Sequence, residues 1–165
     1  MKTFKKFLVL SMLPLLMAFV PTRDSFGAGP GPVVKRQQAK HILRKTAVVI
    51  LIAHKKVKEG KIYTGNLARA IAHQKFAVKL YRAGKYYRAI HHSRRAKFLA
   101  ILAIKANKGS ETEEMKYTKE DEGAMKGGPC DDELDKELVK EMPAESLKDE
   151  EVIDADPVVD LKEDE

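Results

Sequence analysis

The charges of this chain are sorted by position, and that sorting restricts its fold more than any motif does. From Val34 to Lys108 there are 20 Lys and Arg against a single acid, Glu59, a net of +19. From Gly109 to Glu165 there are 22 Asp and Glu against 7 Lys, a net of −15. The overall charge of +7 hides this division. Such sign asymmetry between halves points to an interacting tail joined to a basic module.

Before the basic half comes a segment that reads as a signal for export. Lys2, Lys5 and Lys6 precede an uncharged run from Phe7 to Val20, the order of a basic and then an apolar region in a secretory signal peptide. The run is short of the ~20 apolar residues a spanning helix needs, and Pro14 would cost a persistent helix roughly 3 kcal/mol. Ser25 and Gly27 supply the small side chains a signal peptidase accepts, so cleavage is expected after Gly27, leaving Ala28 as the mature N-terminus. The expected location is the periplasm or the exterior, as for a small exported bacterial-type protein. The single Cys130 lies far from the cleavage site, which excludes lipid attachment there. The expected organisation is a signal peptide at 1–27, a flexible lead at 28–33, a basic helical domain at 34–108 and an acidic tail at 109–165.

The basic domain reads as helical. After Pro30 and Pro32 no Pro or Gly interrupts the chain until Gly60, and Leu43, Ala47, Ile50, His54 and Val57 recur at three-to-four spacing. Residues 47–53 (AVVILIA) are apolar on all sides and rich in β-branched residues, so a buried strand competes there. The periodicity on either side favours a helix surrounded by neighbours. A second helix is expected from Leu67 to Ala83, with Asn66 capping it and Gly84 ending it in a left-handed conformation. A third is expected from Lys85 to Lys108, ended by Gly109. On it Tyr86, Ala89, Ser93, Ala96, Ala100 and Ala103 form a ridge of mostly small residues that lets another helix approach closely. The fold class expected is all-α, a basic hairpin or three-helix bundle with a disordered acidic tail.

Phe76 with Ala77, Leu80, Gly84 with Tyr86, and Ala89 with Ala96 stand at the large, small and turn positions of one helix pair. Residues 70–103 thereby resemble a single tetratricopeptide-type hairpin, with His73, Ser93 and Ile101 departing from the usual residues. The resemblance implies a hairpin with a peptide-binding face, closed here by the first helix. The bland alternative is a plain hairpin without a groove.

The tail is low in apolar residues between Gly109 and Asp132 and carries Gly123, Gly127, Gly128 and Pro129, a composition that does not offset chain entropy. Disorder is expected there. Beyond it, Leu134, Leu138 and Met142 share one side of a short helix, and Leu147, Val152 and Ile153 form a second apolar group. Such pieces are marginal alone and read as docking segments, with Leu134, Leu138 and Leu147 as the contacts.

No catalytic or cofactor motif stands out, so no catalytic residue, metal ligand or cofactor is expected. No two of His41, His54, His73, His91 and His92 are four apart on a helix, and the carboxylates crowd into the tail. Cys130 lies beside Asp131 and Asp132, whose charges disfavour a thiolate; a free thiol or an intermolecular disulfide is the expected role. Lys85, Arg88, His92 and Arg95 make a cationic stripe on the third helix, near Tyr81, Tyr86 and Tyr87. Inside a cell this would suit nucleic acid; export lowers that reading and leaves the chain's own tail, an envelope protein or an anionic surface polymer. A solvated face that only confers solubility is the simplest alternative. The function expected is a non-enzymatic interaction module whose tail shields its basic helices. Two alternatives stand: a cationic, membrane-active protein neutralised by its tail, suggested by Lys55, Lys56 and Lys58 beyond the apolar stretch, and an enzyme with an unrecognised site.

Overall fold

The computed structural model describes residues 36–145, 147–155, 157 and 161. The expected signal peptide, its cleavage site and the lead fall outside these residues. The described residues are helical, with no strand among them. Three long helices make the body: α1 (Arg36–Gly60), α2 (Asn66–Arg82) and α3 (Tyr86–Ala106). The stretch at 47–53 is helix, as its flanking periodicity required.

Two apolar clusters give the helix directions. One joins Val49 and Ile50 of α1 to Leu67 of α2 and Leu99 and Ile104 of α3. The other joins Ile42 and Leu43 to Phe76 and Leu80, and to Ile90. The later part of α1 thus lies beside the start of α2 and the later part of α3, so α2 runs against the other two. Ala89, Ser93, Ala96, Ala100 and Ala103 are all fully buried, and this ridge allows the close approach expected of it. Tyr86, at its end, is half-buried.

The helix ends differ from the sequence reading in their chemistry. Gly84 has φ 73°, the left-handed conformation expected after α2. Gly60 instead remains the last residue of α1, and Lys61 after it takes the positive φ of 55°. The lack of a side chain at Gly60 makes room for Asn107, whose Oδ1 accepts from Ile62 N–H at 3.0 Å and whose Nδ2 donates to the carbonyls of Ile62 and Ala103 at 3.0 Å. One amide clamps the first loop to the end of α3.

The tail departs most from expectation. A 3₁₀ turn (Glu113–Met115), α4 (Lys119–Ala124), α5 (Asp131–Glu141) and α6 (Asp149–Val152) lie along the bundle. The expected disorder over Gly109–Asp132 is not what these residues display. Thr118 opens α4 with a capping box, its Oγ1 accepting from Asp121 N–H at 3.2 Å while Asp121 Oδ2 accepts from Thr118 N–H at 3.0 Å. Met115 and Ala124 are buried, each in one of the two bundle clusters. Composition failed here because it asks whether a segment can make its own core. This segment adds single apolar residues to a core already built.

Candidate functional site: the basic face covered by α5

The cations of α2 and α3 converge on α5. Leu134 and Leu138 point into the bundle, 1% and 3% exposed. The carboxylates beside them, at Asp131, Asp135 and Glu137, meet the cations along the same strip. Asp131 accepts from Arg94 at 2.8 Å and from Arg95 at 2.9 Å. Asp135 accepts from Arg95 at 2.6 Å and from Arg69 at 2.5 Å. Arg88 pairs with Glu137, and Lys75 with Glu145 at 2.7 Å. Burial alone would raise the pKa of Asp135, but the hydrogen bond from Arg95 and the charges of Arg95 and Arg69 hold it below the ordinary carboxylate value. Asp135 raises Arg95 in return.

Between the arginines lies a chain of four groups, two buried rings between two half-buried carboxylates. His73 Nε2 is 2.9 Å from Asp135 Oδ1, His73 Nδ1 is 3.0 Å from His92 Nδ1, and His92 Nε2 is 3.4 Å from Glu137 Oε2. Both rings are fully buried, and the edge of Phe76 packs on His92 with centroids 4.6 Å apart. Burial lowers His73 to about 4 against the opposing pull of Asp135, and lowers His92 to about 3 with help from His73 and Arg88. Both rings are therefore neutral near pH 7. If His73 Nε2–H donates to Asp135, its Nδ1 accepts from His92 Nδ1–H, and His92 Nε2 turns a lone pair toward Glu137. Two protons serve three contacts, and the contact left without one is the longest. The arrangement holds a helix to a bundle. Both rings are closed off from solvent.

A second tail carboxylate works at a helix end. Asp149 is fully buried, and its Oδ2 accepts from the N–H groups of Thr64 and Gly65 at 2.8 Å while Oδ1 accepts from Ala68 N–H at 2.8 Å. These donors open α2, where Gly65 stands as N-cap with φ 75°. The sequence reading gave this role to Asn66; the structure places Asn66 inside the helix and brings the cap from 84 residues away.

The candidate residues named from sequence are partly brought together. Arg88 and Arg95 meet α5. His92 is buried rather than part of an exposed stripe, and Lys85 is exposed at the N-cap of α3. Of the docking leucines, Leu134 and Leu138 are buried, but Leu147 is 40% exposed. The chain turns there to carry Asp149 under α2, and Ile153 and Leu161 supply the buried contacts instead. Arg69, His73 and Arg94 were missed because they belong to a surface formed by two helices. The spacing of Asp131, Leu134, Asp135 and Leu138 was the signal that could have found their partner. Of the tyrosines, Tyr81 lies 5.4 Å from Tyr86, and Tyr87 donates to the Lys126 carbonyl at 3.2 Å. Cys130 is an exposed free thiol at the start of α5. Among the described residues no group of three or more His, Cys, Asp or Glu could hold a metal ion, and no helix is long and apolar enough to cross a membrane.

Fold and site together define an all-α bundle carrying its own acidic helix on a basic, histidine-lined face. No protein-family model, curated protein or solved structure matches the chain.

Proposed function

We propose that this protein is an exported, non-enzymatic interaction module whose α2–α3 face receives an acidic amphipathic partner, and that α5 is the intramolecular competitor for that face. The observation that carries the reading is the pairing of Asp131, Asp135 and Glu137 with Arg69, Arg88, Arg94 and Arg95 around the inserted Leu134 and Leu138. Two anchors at helical spacing with flanking charges are what a helix presents to a groove. Each exposed pair alone contributes about 0–1 kcal/mol, so the leucines and the half-buried arginines must supply most of the holding energy. A tethered helix acts at an effective concentration around millimolar, so an external partner has to exceed that advantage. The partner implied is an envelope protein with an acidic helix or an anionic surface polymer.

The test uses the full mature chain and a labelled peptide of residues 130–142. The wild-type protein should bind it weakly, and a D131N/E137Q variant at least about tenfold more tightly, because its own α5 is the weaker competitor. The same peptide with L134A and L138A should not bind. Equal affinity for both proteins would remove the competitor role. Mass spectrometry of exported protein should give a chain starting at Ala28; a species retaining Phe7–Val20 would remove export from the reading.

One observation favours a second reading. Val48 and Leu51 on α1 are 57% and 50% exposed, with His41 and Lys55 exposed nearby on the same helix. A basic-flanked apolar strip of this kind suits anionic lipid. Val48→Ser with Leu51→Ser should then reduce sedimentation with anionic vesicles.

A further inference from the structure

Next to the arginine end of the α5-covered face, with Arg95 and Asp131 in its lining, a cleft of about 510 Å³ lies between the bundle and the folded tail. Phe98 and Ile101 of α3 form one wall and Tyr117 of the tail another, with Arg94 and Lys116 at the edge. Lys97 lines it too, and this side chain is unusual. It is only 4% exposed, and its Nζ sits 3.3 Å from the centroid of the Tyr117 ring. Tyr117 is fixed there by its hydroxyl, 3.1 Å from Thr46 Oγ1, which also bonds the Ser93 carbonyl at 3.4 Å. Among the described residues no carboxylate pairs with Lys97. Asp121 is taken by Lys45 at 3.3 Å, and Asp131 by Arg94 and Arg95.

We infer that this cleft binds small, flat, anionic carbonyl compounds and that the Lys97 amine captures them as an imine. The aromatic wall at Phe98, 49% exposed, offers a stacking surface. Arg94, which also bonds Asp131 at 2.8 Å, and Lys116, which also bonds Glu113 at 2.6 Å, bring positive charge to the edge for a phosphate or carboxylate, opposed by Glu111, Glu122 and Asp131 in the lining. In the reaction the amine nitrogen attacks the carbonyl carbon, both amine hydrogens leave with the carbonyl oxygen as water, and a C=N bond joins ligand to Lys97. No oxidant or reductant is needed. The step requires a neutral amine, which burial of Lys97 favours. Burial and then the charge of Lys45 lower the Lys97 pKa to about 8, with Glu111 and Asp121 pulling the other way. The lowered pKa leaves more of this amine neutral near pH 7.5 than an ordinary lysine near 10.5 has, while the Tyr117 ring face beside Nζ favours its charged form. The cleft shares Arg94, Arg95 and Asp131 with the α5-covered face, but Lys97, Phe98 and Tyr117 take no part in the α5 pairing, so labelling of Lys97 and binding of the α5 peptide are read separately.

The probe is pyridoxal 5′-phosphate, added to the full chain at pH 7.5, trapped with borohydride and mapped by peptide mass spectrometry. Lys97 should be labelled at least about tenfold faster than exposed Lys55, Lys58 and Lys79, with a rate rising around pH 8. Pyridoxal without the phosphate should label it more slowly. K97R should lose this label while the other lysines keep theirs. If K97R does not fold, F98A, altering a half-exposed ring, should slow labelling of Lys97 alone by about fivefold. Even labelling across the lysines, or indifference to F98A, overturns the proposal. Equal rates for the two aldehydes overturn its anionic part.

Discussion

Single residues carry unusual weight where the tail meets the bundle. Asp149 satisfies three N–H groups at the start of α2 from a fully buried position, so D149A should lower stability by about 1–3 kcal/mol, read from urea unfolding. A loss below half a kcal/mol would mean that water replaces the cap. His91 makes a different case. Gly128 lies so close over its buried ring that a Cβ there would collide with it, and neither ring nitrogen has a hydrogen-bond partner. G128A should therefore cost about 1–3 kcal/mol through overpacking. Burial, with Arg94, lowers His91 to about 4, beside His73 at about 4 and His92 at about 3. Unfolded, each titrates near 6.5, so the unfolded chain binds more protons from about pH 6.5 down to about 4. Stability is thus full above that window and falls within it as pH drops. The expected loss between pH 7 and 5 is on the order of 1 kcal/mol per ring, and H91L should flatten the slope by one ring's share.

At the scale of elements, α5 and α6 depend on what they cover. An isolated helix of 11 residues is marginal in water, as α5 would be without its bundle. Truncating Leu134 and Leu138 to Ala should raise hydrogen exchange in α5 by about one to two orders of magnitude while leaving α1–α3 protected. Salt should act conditionally. Its screening length falls from about 10 Å at 0.1 M to about 3 Å at 1 M, but half-buried pairs are screened less than exposed ones. Wild-type α5 should stay protected in 1 M salt and the double alanine variant should lose its protection. Equal loss in both would assign the docking to charge alone. The amphipathic patterns of α1, α2 and α5 were legible in sequence because helical periodicity is local. The 3₁₀ turn and α4 were not, since each contributes one buried residue, Met115 or Ala124, to a cluster made by helices far away in sequence.

At the scale of the molecule, the two charged halves interlock rather than trail one another. Limited proteolysis should accordingly leave a resistant fragment extending past Lys108 and retaining Asp149; a core ending near Lys108 with an early loss of the tail would show that the tail is not held. What the sequence by itself determined is the helical body: three runs of periodic apolar residues, the small ridge on α3 and the turn at Gly84 follow from local sterics and from burial of one face. It also determined that opposite charges would be present on one chain. Only the tertiary structure decided which charges meet. The chain Asp135–His73–His92–Glu137 draws on three helices, and the cap of α2 comes from Asp149, because hydrogen bonds and ion pairs depend on distances of a few ångströms that no linear spacing encodes. For the same reason Leu147, apolar and well placed in sequence, stays exposed while Ile153 is buried: an apolar residue is buried where the path of the chain brings it against apolar surface, and that path is set by the whole fold.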